Sequence, residues 1–358
     1  MSRDYSKFLP SAGPAAVPKR TRSTIETLGW QPWFAQQVSA DEMADTPPVR
    51  VTEIHRNGLH LVGDEMDRLI PPGPEATVGD WLMLNAHRPG ESRVLQRKSL
   101  FKRRAPGTDR KVQLIAANID TAFIVSSCNQ DFNVARLERY VAVALEAEVE
   151  PVILLTKTDL VDAPDEFVEQ AAAISELTPV LALDARGGEP AEKLGHWCRT
   201  GRTLAFLGSS GVGKSTLVNA LTGTDETKTQ GIREDDAKGR HTTTRRQLHV
   251  LPGGGVVLDT PGMRELQLTD AASGIGDLFS DIQDLAGQCR FRDCQHETEP
   301  GCAVLQALEE DRIDAARLSR WRKLVAEDRY NSASLAERRA RDKAFGKMVR
   351  RIQDKKRR

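Results

Sequence analysis

A glycine-bounded loop carries the strongest chemistry that this sequence offers. Gly208-Ser209-Ser210-Gly211-Val212-Gly213-Lys214-Ser215-Thr216 satisfies the spacing G-x-x-x-x-G-K-[ST]. Glycines at these places let a backbone turn its N–H groups inward around an anion, and a helix that starts there adds positive potential. Lys214 is placed to contact the β- and γ-phosphates of a nucleotide, and Ser215 to ligate Mg²⁺. Downstream, Asp259-Thr260-Pro261-Gly262 supplies a carboxylate that can hold Mg²⁺ through water. Its glycine amide can approach a γ-phosphate. Between the two lies Gly239-Arg240-His241-Thr242-Thr243-Thr244. Any of its three threonines could complete the Mg²⁺ shell; the sequence does not choose, and Thr243 is taken as the candidate.

Upstream, Thr156-Lys157-Thr158-Asp159 bears on the choice of base. Asp159 can accept hydrogen bonds from guanine N1–H and N2–H₂. Adenine offers neither in that geometry, so the discrimination is worth several kcal/mol. The Lys157 stem would lie over the base or ribose. Asp184-Ala185 could bring backbone amides near guanine O6. An ATPase or kinase would use the same phosphate loop, but Asp159 argues for GTP.

A second constellation is Cys289, Cys294, His296 and Cys302, spaced C-x₄-C-x-H-x₅-C. Three thiolates and one imidazole make a complete tetrahedral set with no open position, which predicts one structural Zn²⁺ rather than a catalytic one. Cys128 and Cys198 sit in or beside apolar runs and read as small core residues.

Elements must position these groups. Apolar runs at Thr121–Val125, Pro151–Leu155, Pro179–Leu183, Thr203–Leu207 and Val256–Leu258 predict strands. Helical spacing follows several of them: Val134, Leu137, Val141 and Leu145; Glu166–Leu177; Ala191–Arg199; Lys214–Leu221. Strand–helix alternation implies a parallel sheet covered on both faces. Residues 49–96 differ: Val49–His55, Leu59–Gly63, Met66–Ile70 and Trp81–Asn85 are short β-rich runs punctuated by turn residues, the pattern of a small barrel. The expected organisation is a flexible arm over 1–45, a barrel over 46–105, a nucleotide-binding α/β domain over 106–280, a zinc-binding helical domain over 281–334 and a basic tail over 335–358.

Lys plus Arg number 51 and Asp plus Glu number 51. That balance excludes a uniformly basic nucleic-acid binder but not local patches. Residues 335–358 hold eleven basic side chains against three acidic ones, and residues 97–111 hold seven against Asp109. Five cysteines exclude a disulfide-built scaffold. No run approaches the length of a membrane helix and no signal-peptide pattern opens the chain, so a soluble cytoplasmic protein is expected.

The order of the motifs is distinctive. Translation-type GTPases carry the phosphate loop, switch threonine, D-x-x-G, N-K-x-D and a final small-residue motif in that sequence. Here 156–159 and 184–185 precede 208–216, 241–244 and 259–262, which looks like a circular permutation of the GTPase fold. The second switch then leads directly into whatever follows residue 265. With Ala117-Asn118-Ile119-Asp120 and the Cys/His cluster, the arrangement resembles the ribosome small-subunit-dependent GTPase A family (RsgA, also YjeQ). The resemblance covers about residues 48–330. It implies an OB-type barrel, a circularly permuted P-loop GTPase and a C-terminal zinc domain. It also implies Mg²⁺-dependent conversion of GTP to GDP and phosphate, stimulated by the small ribosomal subunit. A role in late subunit maturation, with rRNA contacts through barrel and zinc domain, comes with it. Another assembly factor as partner is compatible, as is a monomer; a passive rRNA-binding factor whose nucleotide is mainly structural is the competing reading.

Three residues depart from the wider GTPase pattern: Thr156 replaces asparagine, Asp184 replaces serine, and Met263 stands where many GTPases carry the glutamine that orients water. A thioether cannot do that work. His241 is the candidate to position water instead, and a slow intrinsic rate is expected until the ribosome orders the switches. Against a polyanion, the tail and the segment Arg97–Lys111 are expected to contact RNA.

Overall fold

Residues 22–45, expected to lie in a flexible arm, fold onto the barrel. The computed structural model describes residues 22–55, 57–104, 112–223, 247–259 and 268–332; residues 1–21 of the arm and the basic tail lie outside these. Three short helices open the described chain: α1 (Thr24–Thr27), α2 (Pro32–Ala35) and α3 (Ala40–Asp45). Ser23 Oγ accepts from Glu26 N while a Glu26 carboxylate oxygen accepts from Ser23 N, a reciprocal cap. Ser39 caps α3. Helices this short do not stand alone. They are held by Ile25, Leu28 and Phe34, which bury against Trp81, Met83 and Leu95. The Trp30 ring meets Trp81 edge-on at 4.9 Å.

The small antiparallel sheet follows: β1 (Pro48–His55), β2 (Gly58–Gly63), β3 (Met66–Ile70), β4 (Trp81–Met83) and β5 (Arg93–Val94). β1 pairs with β2 along its length and with β4 at its start. Val49, Val51, Leu59, Leu61, Ile70, Leu82 and Leu84 fill its core. β6 (Leu100–Arg104) then pairs with β7 (Val112–Ala117) as a separate antiparallel ladder. The expected boundary at 105/106 therefore falls between two strands that pair with each other.

Ala117-Asn118-Ile119-Asp120 forms the joint to the larger sheet. Asn118 is left-handed (φ 58°). It donates from Nδ2 to Gly79 O (3.0 Å) and accepts at Oδ1 from Lys98 N. Asp120 accepts from Thr203 N (2.7 Å) and pairs with Lys98 Nζ (2.7 Å). Arg50, fully buried, reaches the carbonyls of Leu28, Gly79 and Asn118. Burial lowers its pKa to about 10. Of the basic residues expected to face RNA, Arg97 pairs with Asp80, Lys98 with Asp120 and Arg104 with Asp270. Each of the three is ion-paired within the fold yet keeps part of its side chain at the surface.

The main sheet takes β8 (Thr121–Ser127), β9 (Glu150–Thr156), β10 (Val180–Ala182), β11 (Thr203–Leu207), β12 (Gln247–Val250) and β13 (Val256–Asp259). Its helices are α4 (Val134–Glu146), α5 (Pro164–Ala172), α6 (Glu189–Leu194) and α7 (Lys214–Thr222). The order is β10-β9-β8-β11-β13-β12, parallel except for β12. Alternate residues go to opposite faces. Ile124, Ile153, Leu155 and Leu207 pack with Leu137, Val141 and Ala144 of α4. Phe123, Val125, Val152, Leu154 and Phe206 pack with Leu217, Val218 and Leu221 of α7.

Four more helices close the described chain: α8 (Ala272–Leu278), α9 (Ser280–Ala286), α10 (Ala303–Glu309) and α11 (Ala315–Ser332). Their Leu278, Phe279, Ile282, Leu318 and Trp321 share the core of α4. A Cβ at Gly274 would lie 2.1 Å from Ala142 O, so α8 crosses α4 with backbones nearly touching. Among the described residues, no helix is long and apolar enough to cross a membrane.

Candidate nucleotide and metal sites

β11 stops at Leu207 because the next residue adopts φ 138°, open to glycine alone. A Cβ at Gly208 would stand 2.3 Å from Val125 O on the neighbouring strand. Gly211 (φ 79°) and Gly213 (φ 99°) continue the turn, and Gly213 caps α7. Lys214, the first residue of α7, is buried. Its Nζ donates to Gly208 O (2.7 Å) and to Ser209 O. The ammonium thus sits across the mouth of its own loop, beside Ser210 and Gly211, which are exposed. Val212 points the other way and is buried. Ser215 and Thr216 are half-buried in the first turn of the helix.

The base loop lies at the end of β9. Thr156 is fully buried, with Oγ1 2.7 Å from Val212 O and 3.3 Å from Ser126 O. Where an asparagine amide is usual, this hydroxyl donates to the phosphate loop itself. Lys157 is left-handed (φ 58°) and starts the tight turn Thr158–Leu160. Asp159 Oδ2 accepts from Arg186 Nη2. Asp184 accepts from Arg186 N (2.9 Å) and from Arg186 Nε (3.3 Å). That backbone bond, then the guanidinium, holds the Asp184 carboxyl below its ordinary value. A Cβ on Gly213 would stand 3.6 Å from Thr156 Oγ1 and 3.7 Å from Ala185 Cβ. The segments written in reversed order therefore meet around Gly213.

Asp259 is the last residue of β13, in register with Gln247 of β12, on the strand beside β11. Gly262, His241, Thr243 and Met263 lie outside the described residues. Two contacts at the phosphate loop were not read from the sequence. Arg136, in the first turn of α4, donates from Nη1 to Ser209 Oγ (2.9 Å), and Tyr140, one turn on, also meets Ser209. No motif marks either; both depend on α4 lying against β11's loop.

At the far end, Cys289, Cys294, His296 and Cys302 bring their ligand atoms within 4.8 Å of one another. Cys289 Sγ is 3.8 Å from Cys302 Sγ and 3.5 Å from His296 Nδ1, which is 3.4 Å from Cys302 Sγ. With Zn–S near 2.3 Å and Zn–N near 2.0 Å, a tetrahedron has S···S edges of about 3.8 Å and S···N edges of about 3.5 Å. The donor set fits that ion. Glu299 fixes the loop by accepting from the backbone N–H of Gln295, Glu297 and Thr298, which brings its carboxyl down to about 2. Burial pushes His296 below its ordinary value, favouring the neutral imidazole that ligates metal. Arg322 of α11 donates to His296 O, and the Trp321 ring lies 5.6 Å from the imidazole.

The chain matches a family model described as RsgA GTPase over residues 94–269. It is 48% identical over 343 residues to "Small ribosomal subunit biogenesis GTPase RsgA 2" of Vibrio parahaemolyticus, covering 94% of this chain and 95% of that one. It resembles the crystal structure of YjeQ from Thermotoga maritima at TM-score 0.57 and 27% identity, covering 78% of this chain and 97% of the other. A second likeness, at TM-score 0.56 and 23% identity, is to YloQ, described as a circularly permuted GTPase; it covers 83% of this chain and 100% of the other and shows the shared fold. With the phosphate loop downstream of the base loop in a single sheet, and with relatives matched along nearly their whole length, the chain belongs to the RsgA GTPase family.

Proposed function

We propose that this protein hydrolyses GTP in late maturation of the small ribosomal subunit, at a rate set by that subunit. The observation that supports this is the Thr156 hydroxyl on Val212 O, which ties the base loop to the phosphate loop. Asp159 and the Ala185 amide read guanine; the Gly208–Thr216 loop cradles the phosphates. Lys214, now on Gly208 O, would exchange that carbonyl for a γ-phosphate oxygen and offset charge growing there in the transition state. Ser215, Thr243 and Asp259 would hold the Mg²⁺ that accompanies the nucleotide, and the ion would supply neutralisation of the phosphate charge. His241 would orient water. The Cys₃His set would hold one structural Zn²⁺, and rRNA contacts would run through barrel and zinc domain. A soluble cytoplasmic monomer fits this role.

The test is phosphate release with and without purified small subunits. Stimulation of the wild type, abolished in Lys214→Ala, supports the reading. Release that ignores added subunits, with RNA binding indifferent to nucleotide state, favours the passive rRNA-binding factor. His241→Ala should lower the stimulated rate while leaving GDP affinity unchanged.

A further inference from the structure

Nothing in the phosphate-loop logic calls for a cation beside the base loop, yet Arg186 stands there. Its Nη2 holds Asp159 Oδ2, its Nε faces Asp184 Oδ1 at 3.3 Å, and its backbone N–H donates to the same Asp184 oxygen. One guanidinium therefore bridges the carboxylates of both base-reading segments. Thr156, meanwhile, spends its hydroxyl on Val212 O and offers no amide to a base.

Guanine presents donors at N1 and N2 and acceptors at O6 and N7. Asp159 can satisfy the donors and no acceptor. A carboxylate oxygen accepts more than one hydrogen bond, so the oxygen that takes N1–H can keep its Arg186 contact. O6 is the ring neighbour of N1. A guanidinium retained on that oxygen lies next to O6, with N–H groups to spare among its five.

We propose that Arg186 is a specificity-determining residue of the base site, donating to guanine O6 while remaining on Asp159. The proposal rests on the reading of Asp159 as the guanine contact. Adenine is rejected twice: it lacks the donors that Asp159 needs, and its N6 amino group turns a donor toward Arg186.

Calorimetric titration of the full chain with GDP, 6-thio-GDP and ADP tests this in the wild type and in Arg186→Ala. Arg186 is two-thirds exposed, so the variant should fold; an unchanged melting temperature verifies it. Loss of a charge-assisted hydrogen bond should weaken GDP about tenfold or more. The penalty for replacing O6 by sulfur should shrink in the variant, and ADP binding should tighten, because the N6 amino group no longer meets a facing donor. GDP binding as tight as wild type, or tighter, overturns the proposal: Arg186 would then be a competitor that the base displaces from Asp159. Equal sulfur penalties in both proteins overturn it as well. Asp159→Asn separates the two levels. It should lose GDP and gain xanthosine diphosphate; if it keeps GDP, the base reading itself falls. If it behaves as expected and Arg186→Ala does not, only the role of Arg186 falls.

Discussion

A single hydroxyl links the two loops on which nucleotide binding depends. Thr156→Val keeps the shape of the side chain and removes the donor to Val212 O. Stranding a buried carbonyl costs about 1–3 kcal/mol, and here the cost falls on the spacing between base and phosphates. GDP affinity should drop about tenfold by titration, whereas Thr156→Ser should stay near wild type. Equal affinity in Thr156→Val would mean that the loops are held in place without this contact. The residues read from the sequence are those whose chemistry is in their type: a lysine after a glycine loop, a carboxylate after a buried strand, four metal donors in one short stretch. Arg136 and Arg186 were not, because an arginine declares its partner only when the fold brings one to it.

Among the elements, α4 connects the phosphate loop, the sheet and the C-terminal helices. Its first turn meets the phosphate loop through Arg136, and its core face lies on the sheet. Glu138, fully buried, takes both carboxylate bonds from Arg320 of α11 at 2.9 Å. Removing Arg320 strands a buried carboxylate, a loss of about 3–5 kcal/mol. Burial already pushes the Glu138 carboxyl up, more than Arg320 draws it down; without Arg320 it rises further. A carboxyl with a raised folded pKa is most tolerable below its unfolded value of about 4.5. The penalty then grows as pH climbs through the folded value. The melting-temperature gap between Arg320→Ala and wild type should therefore widen from pH 5 to pH 8. A gap that narrows over that range would contradict the buried pair. Replacing both partners by methionine should recover most of the loss. Helical periodicity identified α4, which buries one face, and continuous apolar runs identified the central parallel strands, which are buried on both faces. Neither signal marked α1–α3, β5–β7 or β12: the helices are too short to show a period and are held by the Trp81 cluster, and the strands owe their form to pairing.

At the scale of the whole molecule, a continuous run of contacts joins the two candidate sites. The metal-donor loop is tied to α11 by Arg322 on His296 O and by Trp321. α11 is tied to α4 by Arg320 on Glu138, and by Arg139, which pairs with Glu327. α4 reaches Ser209. Contiguity alone is not coupling, but linkage gives it a measurable form. A ligand stabilises whatever unfolds together with its site, by about 2.7 kcal/mol at a hundred times its Kd. If the chain of contacts couples the ends, GDP should slow amide exchange in α11 of the wild type and leave it unchanged in Arg320→Ala. Chelation should act from the other end. It should expose Trp321 and red-shift its emission, an effect absent from Trp321→Phe, and lower the melting of the helical unit. GDP affinity should fall by less than in Thr156→Val, because α4 stays packed on its sheet without the metal. Amide exchange in α11 that ignores GDP in the wild type would show that nucleotide state cannot reach the C-terminal helices through α4. The coupling would then have to use another connection, such as Arg317 of α11 on Ile174 O or the chain itself between β13 and α8.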